Sequence, residues 1–452
     1  MGGTEAIEFG RKIVGLAGSL LLAGLVLGVP LSGAADGFVG EPPTQGGDPT
    51  QRLAELLEDP GVQEGLTLLR GSAGEAAELL VDIGGIESPS GQEHERARRV
   101  AQEFREMGLS DVEVTEAPNV LGRIPGRSGQ AVVFISTLDD LQTVAMNQRE
   151  RGRPPSIEGD RVVGPGTNTS TVTVAMIHAA QALLASGVEP EHDLIFAAVA
   201  EEETGLRGMH EVVERMGDRA LAYIDILGDG RSISYGALSI HWWRVVGEGP
   251  PGHSLGGGLP NVNQGLARAA DRILEWSRPH QDPENRTTVN ISILRSGEVF
   301  NHKPAEGWFS LDLRSLDART VEEMEEAVTG ILQQVSEETG VTLQLDPEHL
   351  IPGGQIPGAR ESTLVRSSEA VARQLGLDPT FNPAGSSNMN VAVSRGVHAI
   401  GLGGSRGGAR GEAEEWADVP AMMRTAEHVY LLAHLLSGAG LDEFEAARQG
   451  EP

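Results

Sequence analysis

Two periods of apolar residues organise the chain. Glu93 to Met107 (EHERARRVAQEFREM) carries its apolar positions at helical spacing and stops at Gly108, which predicts an amphipathic helix. Ala131–Ser136 (AVVFIS), Leu194–Ala200 (LIFAAVA), Leu221–Asp225 (LAYID) and Val397–Leu402 (VHAIGL) are near-continuous apolar runs of strand length. Strands without alternation are buried on both faces, so these runs predict an α/β fold with a mostly parallel sheet covered by helices. The stretch 239–352 reads differently. It predicts strand (240–246), helix (261–276), strand (288–294), strand (308–314), helix (320–338) and strand (341–345). That βαββαβ order is the one of a small ferredoxin-like α+β domain, inserted between 51–238 and 353–445 of the larger one.

The longest apolar run, Ile13 to Leu31, has Arg11 and Lys12 before it and Ser32-Gly33-Ala34 after it. This is the layout of a secretory signal peptide over residues 1–34, with cleavage after Ala34. The run approaches the ~20 residues that span a bilayer, so an uncleaved anchor is the alternative. Residues 35–50 (ADGFVGEPPTQGGDPT) are rich in Gly, Pro and Thr and read as a linker. The expectation is an exported protein, periplasmic or secreted.

Charge narrows the function classes. The formal net charge is −30, from 65 acidic against 35 basic residues, and such a surface repels phosphate backbones. Nucleic acid is therefore excluded as a partner. With no cysteine, a thiol nucleophile and a Cys-ligated metal are excluded too, and any metal site must use His, Asp and Glu. In open α/β sheets, ligands bind beyond the carboxyl ends of the strands. There the chain places Thr137-Leu138-Asp139-Asp140, then Glu201-Glu202-Glu203, then Asp225, and a glycine loop (GGSRGGARGEAEEW) after the last strand. Carboxylates at adjacent strand ends repel one another unless a cation or protons lie between them.

Further motifs follow in order. They are Glu87–Glu93 (ESPSGQE), Asn119-Val120 before Ile124–Gly126 (IPG), Gly164–Thr167 (GPGT), Glu201–Gly205 (EEETG) and Gly249–Ser254 (GPPGHS). Asn301 with Pro304, Asp312–Arg314 (DLR), Ser386–Asn390 (SSNMN), Gly396–Ile400 (GVHAI) and Glu415-Trp416 complete the series. Over roughly residues 75–440 this resembles the di-zinc exopeptidases and amidohydrolases that include aminoacylase, glutamate carboxypeptidase and peptidase T. The resemblance implies the same architecture, an α/β catalytic-type domain with an inserted ferredoxin-like lid.

It also implies a site of two zincs sharing a bridging Asp, and here the sequence departs from the pattern. Thr137 stands where the first His ligand is expected, Thr169 where the bridging Asp is, and Arg410-Gly411 where the last His is. Glu203 and Asp225 remain as metal positions, about one ligand per metal where zinc needs three or four. Glu202 holds the general-base position. His253 matches the lid His that, in dimeric relatives, reaches the partner's active site. Asn301 and Arg314 match groups that hold a substrate carboxylate or backbone. Thr169 and Ser170 also suit the start of the helix running to Leu184, where either hydroxyl could serve as N-cap. His178 and His398 read as packing residues, which leaves His302 as the one candidate for a relocated ligand. The expectation is a non-hydrolytic member of the family that binds a peptide or N-acyl amino acid without a cofactor, as a homodimer through the inserted domain. The alternatives are an active hydrolase with a reduced or relocated metal site, and a metal-free enzyme reusing Glu202, His253, Lys303 or Arg410.

Overall fold

The computed structural model describes residues 48–441 and 444. The expected signal peptide and most of the expected linker lie outside the described residues. The linker ends earlier than its composition suggests, because a helix opens at Pro49. Asp48 accepts from Thr50 N, and proline at the first position is preset for a helix. Among the described residues no helix is long and apolar enough to cross a membrane.

The main sheet has eight strands. In spatial order they are Ser110–Val114, Val120–Ile124, Asp193–Val199, Ala131–Thr137, Ala220–Ile226, Ala399–Gly403, Ser232–Ser234 and Thr380–Asn382. Asp193–Val199, Ala131–Thr137, Ala220–Ile226 and Ala399–Gly403 run parallel, and the first three are buried at every residue, as their unbroken apolar runs require. The sheet is nevertheless mixed. Val120–Ile124 is antiparallel to both its neighbours, and Ser232–Ser234 is antiparallel to Ala399–Gly403. Short links explain the first pairing: residues 115–119 join Ser110–Val114 to Val120–Ile124 and cannot hold a crossover helix, so the pair folds back as a hairpin. Helices Thr167–Ala185 and Val419–Ser437 cover one face, and Arg207–Met216 and Met389–Ser394 the other.

The inserted domain follows the expected order: Ser239–Glu248, helix Val262–Ser277, Glu306–Ser315, helix Ala318–Thr339 and Thr342–Ile351. The expected strand 288–294 is broken into Thr288–Asn290 and Leu294–Ser296, both paired with Glu306–Ser315. At the break, Ser310 Oγ accepts from the backbone of Ser292 and Ile293, beside the one backbone bond from Ser310 N to the Ile293 carbonyl. Phe309, Leu311 and Leu313 alternate onto the two helices. The opposite face of this sheet is not covered by them and carries Trp242, Trp308, Asp312 and Arg314.

Candidate functional site

The carboxyl ends of the parallel strands meet three loops. Leaving Ala131–Thr137, the chain buries Asp140 against Arg96 at 2.7 Å, both with almost no exposure. Arg96 also donates to the carbonyls of Leu138 at 2.8 Å and Ile86 at 2.6 Å, so this pair locks the loop. Asp139 accepts from Glu202 N and Glu203 N, each at 3.0 Å, and thereby holds the 201–205 loop. Glu93, from the ESPSGQE segment, holds the same loop through Glu201 N at 3.0 Å.

Asp225 is fully buried at the end of its strand. Its Oδ2 accepts from Ser387 Oγ at 2.5 Å and Met389 N at 3.1 Å. The adjacent Asn388 donates to Thr137 Oγ1 at 3.2 Å. Asp225 Oδ1 and Asn388 Oδ1 are left buried without a hydrogen-bond partner. The SSNMN segment thus ties together two of the positions singled out in the sequence, Thr137 and Asp225.

The glycine loop supplies cations. Arg410 forms a close ion pair with Glu203. Arg406 stands among the same acids, its charge bearing on Glu202, Glu203, Glu415 and Asp225. Burial, then Glu203, Asp139 and Asp225, push the Glu202 carboxyl up to about 8, with Arg410 opposing. Burial pushes Asp139 and Asp225 up to about 6 against the hydrogen bonds they accept.

Thr169 is buried in the first turn of Thr167–Ala185, but neither it nor Ser170 caps the helix. The helix starts two residues before Thr169, which places both hydroxyls inside it. Glu415 does the capping instead, its Oε1 accepting from Gly166 N at 3.0 Å and Asn168 N at 2.9 Å, and its Oε2 from Gly411 N at 3.0 Å. A carboxylate at a helix N-terminus is favourably placed against the helix dipole.

The lid residues divide into two groups. His253 and Asn301 come together, 3.0 Å apart, on an exposed part of the inserted domain. His302 pairs with His253 across a short ladder there and lies exposed, so it supplies no relocated ligand at the strand ends. Arg314 is bound by its own strand, since Nε and Nη2 each donate to Asp312 at 2.9 Å. The guanidinium expected to grip a ligand carboxylate thus already holds one. Lys303 donates to the Pro260 carbonyl at 3.1 Å. His178 and His398 are buried, in keeping with packing roles.

Two residues at this edge were not foreseen as part of it. Arg406 is signalled only by being a basic residue in the glycine loop. His349, on the lid strand Thr342–Ile351, reaches the 201–205 loop: a Cβ on Gly205 would lie 3.5 Å from its Nδ1. No sequence signal links it to that loop.

The donor set does not suit zinc. Both oxygens of Asp139 and one of Asp225 accept protein hydrogen bonds, Glu203 is spent on Arg410, and threonine occupies two of the positions. At the positions the pattern assigns to the metals this leaves Glu203, paired with Arg410, and Asp225, which falls short of the three protein ligands zinc takes even in an open site. Among the described residues no three His, Asp or Glu side chains gather in a metal-holding group.

A doubly layered sheet with an inserted ferredoxin-like domain and acidic strand ends describes an exopeptidase scaffold. The profile of peptidase family M20/M25/M40 matches residues 140–435, and the chain belongs to that family. It is 26% identical over 311 residues to succinyl-diaminopimelate desuccinylase of Corynebacterium glutamicum, covering 65% of this chain and 79% of that protein. To human aminoacylase-1 it is 26% identical over 251 residues, 51% of this chain and 60% of that one. Among solved structures, a Staphylococcus aureus tripeptidase superposes with a TM-score of 0.67 at 18% identity, covering 81% of this chain and 98% of that one. Aminopeptidase PepT of Bacillus cereus gives 0.63 at 17%, with 80% and 98% covered. These structures share the fold.

Proposed function

We propose that this family member binds a peptide or N-acyl amino acid at the strand ends and does not run zinc hydrolysis. The observation that carries the reading is where the lone pairs go. Of the two carboxylates that remain at metal positions, Glu203 is paired with Arg410 and Asp225 Oδ2 accepts from Ser387 and Met389 N. Burial and the carboxylates of Glu203, Asp139 and Asp225 push the Glu202 carboxyl up to about 8, so it holds its proton more tightly than an ordinary carboxylate. The substrate class comes from the relatives, whose names are those of a desuccinylase, an aminoacylase and a tripeptidase. The test is hydrolysis of N-acetyl amino acids and dipeptides by the full chain with zinc added. The reading expects no turnover above background, and steady zinc-dependent turnover would overturn it.

Export and dimerisation belong to the same proposal. The apolar run 13–31 supports export. Exposed Leu255, Leu259, Val299 and Phe300 on the loops around His253 and Asn301 support a self-association surface on the inserted domain.

A further inference from the structure

The loop after the Ala399–Gly403 strand is pinned on both sides of two residues, Ser405 and Arg406. A Cβ on Gly404 would lie 2.3 Å from Asp229 Oδ1, and one on Gly407 would lie 2.0 Å from the Trp416 carbonyl oxygen. Both glycines have positive φ, 143° and 146°, so these places need glycine on both counts. Between them, Ser405 N donates to Asp229 Oδ1 at 3.1 Å, and the Arg406 carbonyl accepts from Asp418 N at 3.0 Å. Asp229 is itself buried and held by Arg231 and Arg424. The backbone at Arg406 is therefore fixed.

Its side chain is not. Arg406 is half-buried, and its guanidinium has no hydrogen-bond partner among the described residues, only the longer-range repulsion of Arg410 and pull of Glu202, Glu415 and Glu203. The other guanidinium groups around this edge are committed: Arg410 to Glu203, Arg96 to Asp140, Arg207 to Glu201 and Arg314 to Asp312. A planar group with five unmet donors on a rigid loop is prepared for an oxyanion, which it can take through two parallel bonds.

We propose that Arg406 is the anchor for the carboxylate of the bound ligand. The inference rests on the binding reading above and moves the carboxylate grip from Arg314 to the glycine loop. The ligand chemistry is that of a monoanion, because Glu203, Asp139, Asp225 and Glu415 oppose a dianion such as phosphate more strongly. His349 borders the same 201–205 loop, and Trp242 lies against its ring at 5.5 Å between centroids. Those rings provide an aromatic wall beside the 201–205 loop for an apolar acyl group or side chain.

The test is calorimetric titration of the full chain with N-acetyl amino acids bearing each natural side chain, with N-acetyl-leucinamide and inorganic phosphate as controls. Wild type should bind one or more of the acids and neither control. Arg406→Gln should weaken that binding by about tenfold or more, the worth of a charged hydrogen-bonded contact. Arg406→Lys keeps the charge, loses the fork and should weaken it comparably; it decides the matter if the Gln variant does not fold. Equal affinity in wild type and variants overturns the anchor while leaving the binding reading intact. Tighter binding of phosphate, or equal binding of the amide, overturns the ligand class. Wild type that binds none of the acids overturns the binding reading itself, and the anchor with it.

Discussion

Replacing Glu202 with Gln should flatten the pH dependence of folding stability. Burial and the neighbouring carboxylates of Glu203, Asp139 and Asp225 push its carboxyl from 4.5 up to about 8. A carboxyl whose folded pKa lies above its unfolded value holds its proton more tightly when folded. The folded state therefore loses stability as pH rises from the unfolded pKa toward the folded one. That loss is absent below 4.5 and levels off above about 8. In between it grows by roughly 1.4 kcal/mol per pH unit, on the order of 4 kcal/mol across the window. Gln has the shape of the protonated acid and does not titrate. Asp139 and Asp225 act in the same direction up to about 6, but both proteins contain them, so the difference isolates Glu202. Urea unfolding of the two proteins should give stabilities within about 1 kcal/mol near pH 5. Near pH 8 the variant should be more stable by a few kcal/mol. Equal pH slopes would mean that Glu202 is ionised in the folded protein, which refutes a neutral carboxyl at the general-base position.

Other outcomes follow from the same geometry. Asp140→Asn leaves the Arg96 charge buried and uncompensated and should cost about 3–5 kcal/mol in chemical denaturation. Arg314→Ala removes a partly exposed ion pair and should cost no more than about 1 kcal/mol, without the loss of ligand affinity expected of a carboxylate grip. Light scattering should show a dimer at micromolar concentration, and Phe300→Glu, at a fully exposed position on the inserted domain, should yield a monomer.

The parts of the fold that could be read in advance are those set by period. The unbroken apolar runs are the buried parallel centre, and the change of rhythm after residue 238 marks the inserted domain. The antiparallel edges were missed, although the links beside them are too short for crossover helices. At the site, Glu202, Glu203 and Asp225 stand at one edge, because strand ends fix where a loop begins. The motifs did not show what each oxygen would be bonded to. Asn388 meets Thr137 from 251 residues away, and Glu415 caps a helix about 250 residues earlier; neither contact leaves a local signature. Arg314 and Asp312 were more accessible to reasoning. Two residues apart on a strand, they share a face, and opposite charges there pair with each other before they meet a ligand.

The central claim is that protein donors, not metal ions, satisfy the acids at the strand ends. Metal content is its most direct test. The full chain, purified from zinc-supplemented medium and dialysed, should carry far less than one zinc per chain by elemental analysis. Stoichiometric zinc that survives dialysis would contradict the account, since it would require Glu203 to leave Arg410 and further ligands to stand in at Thr137, Thr169 and Arg410-Gly411.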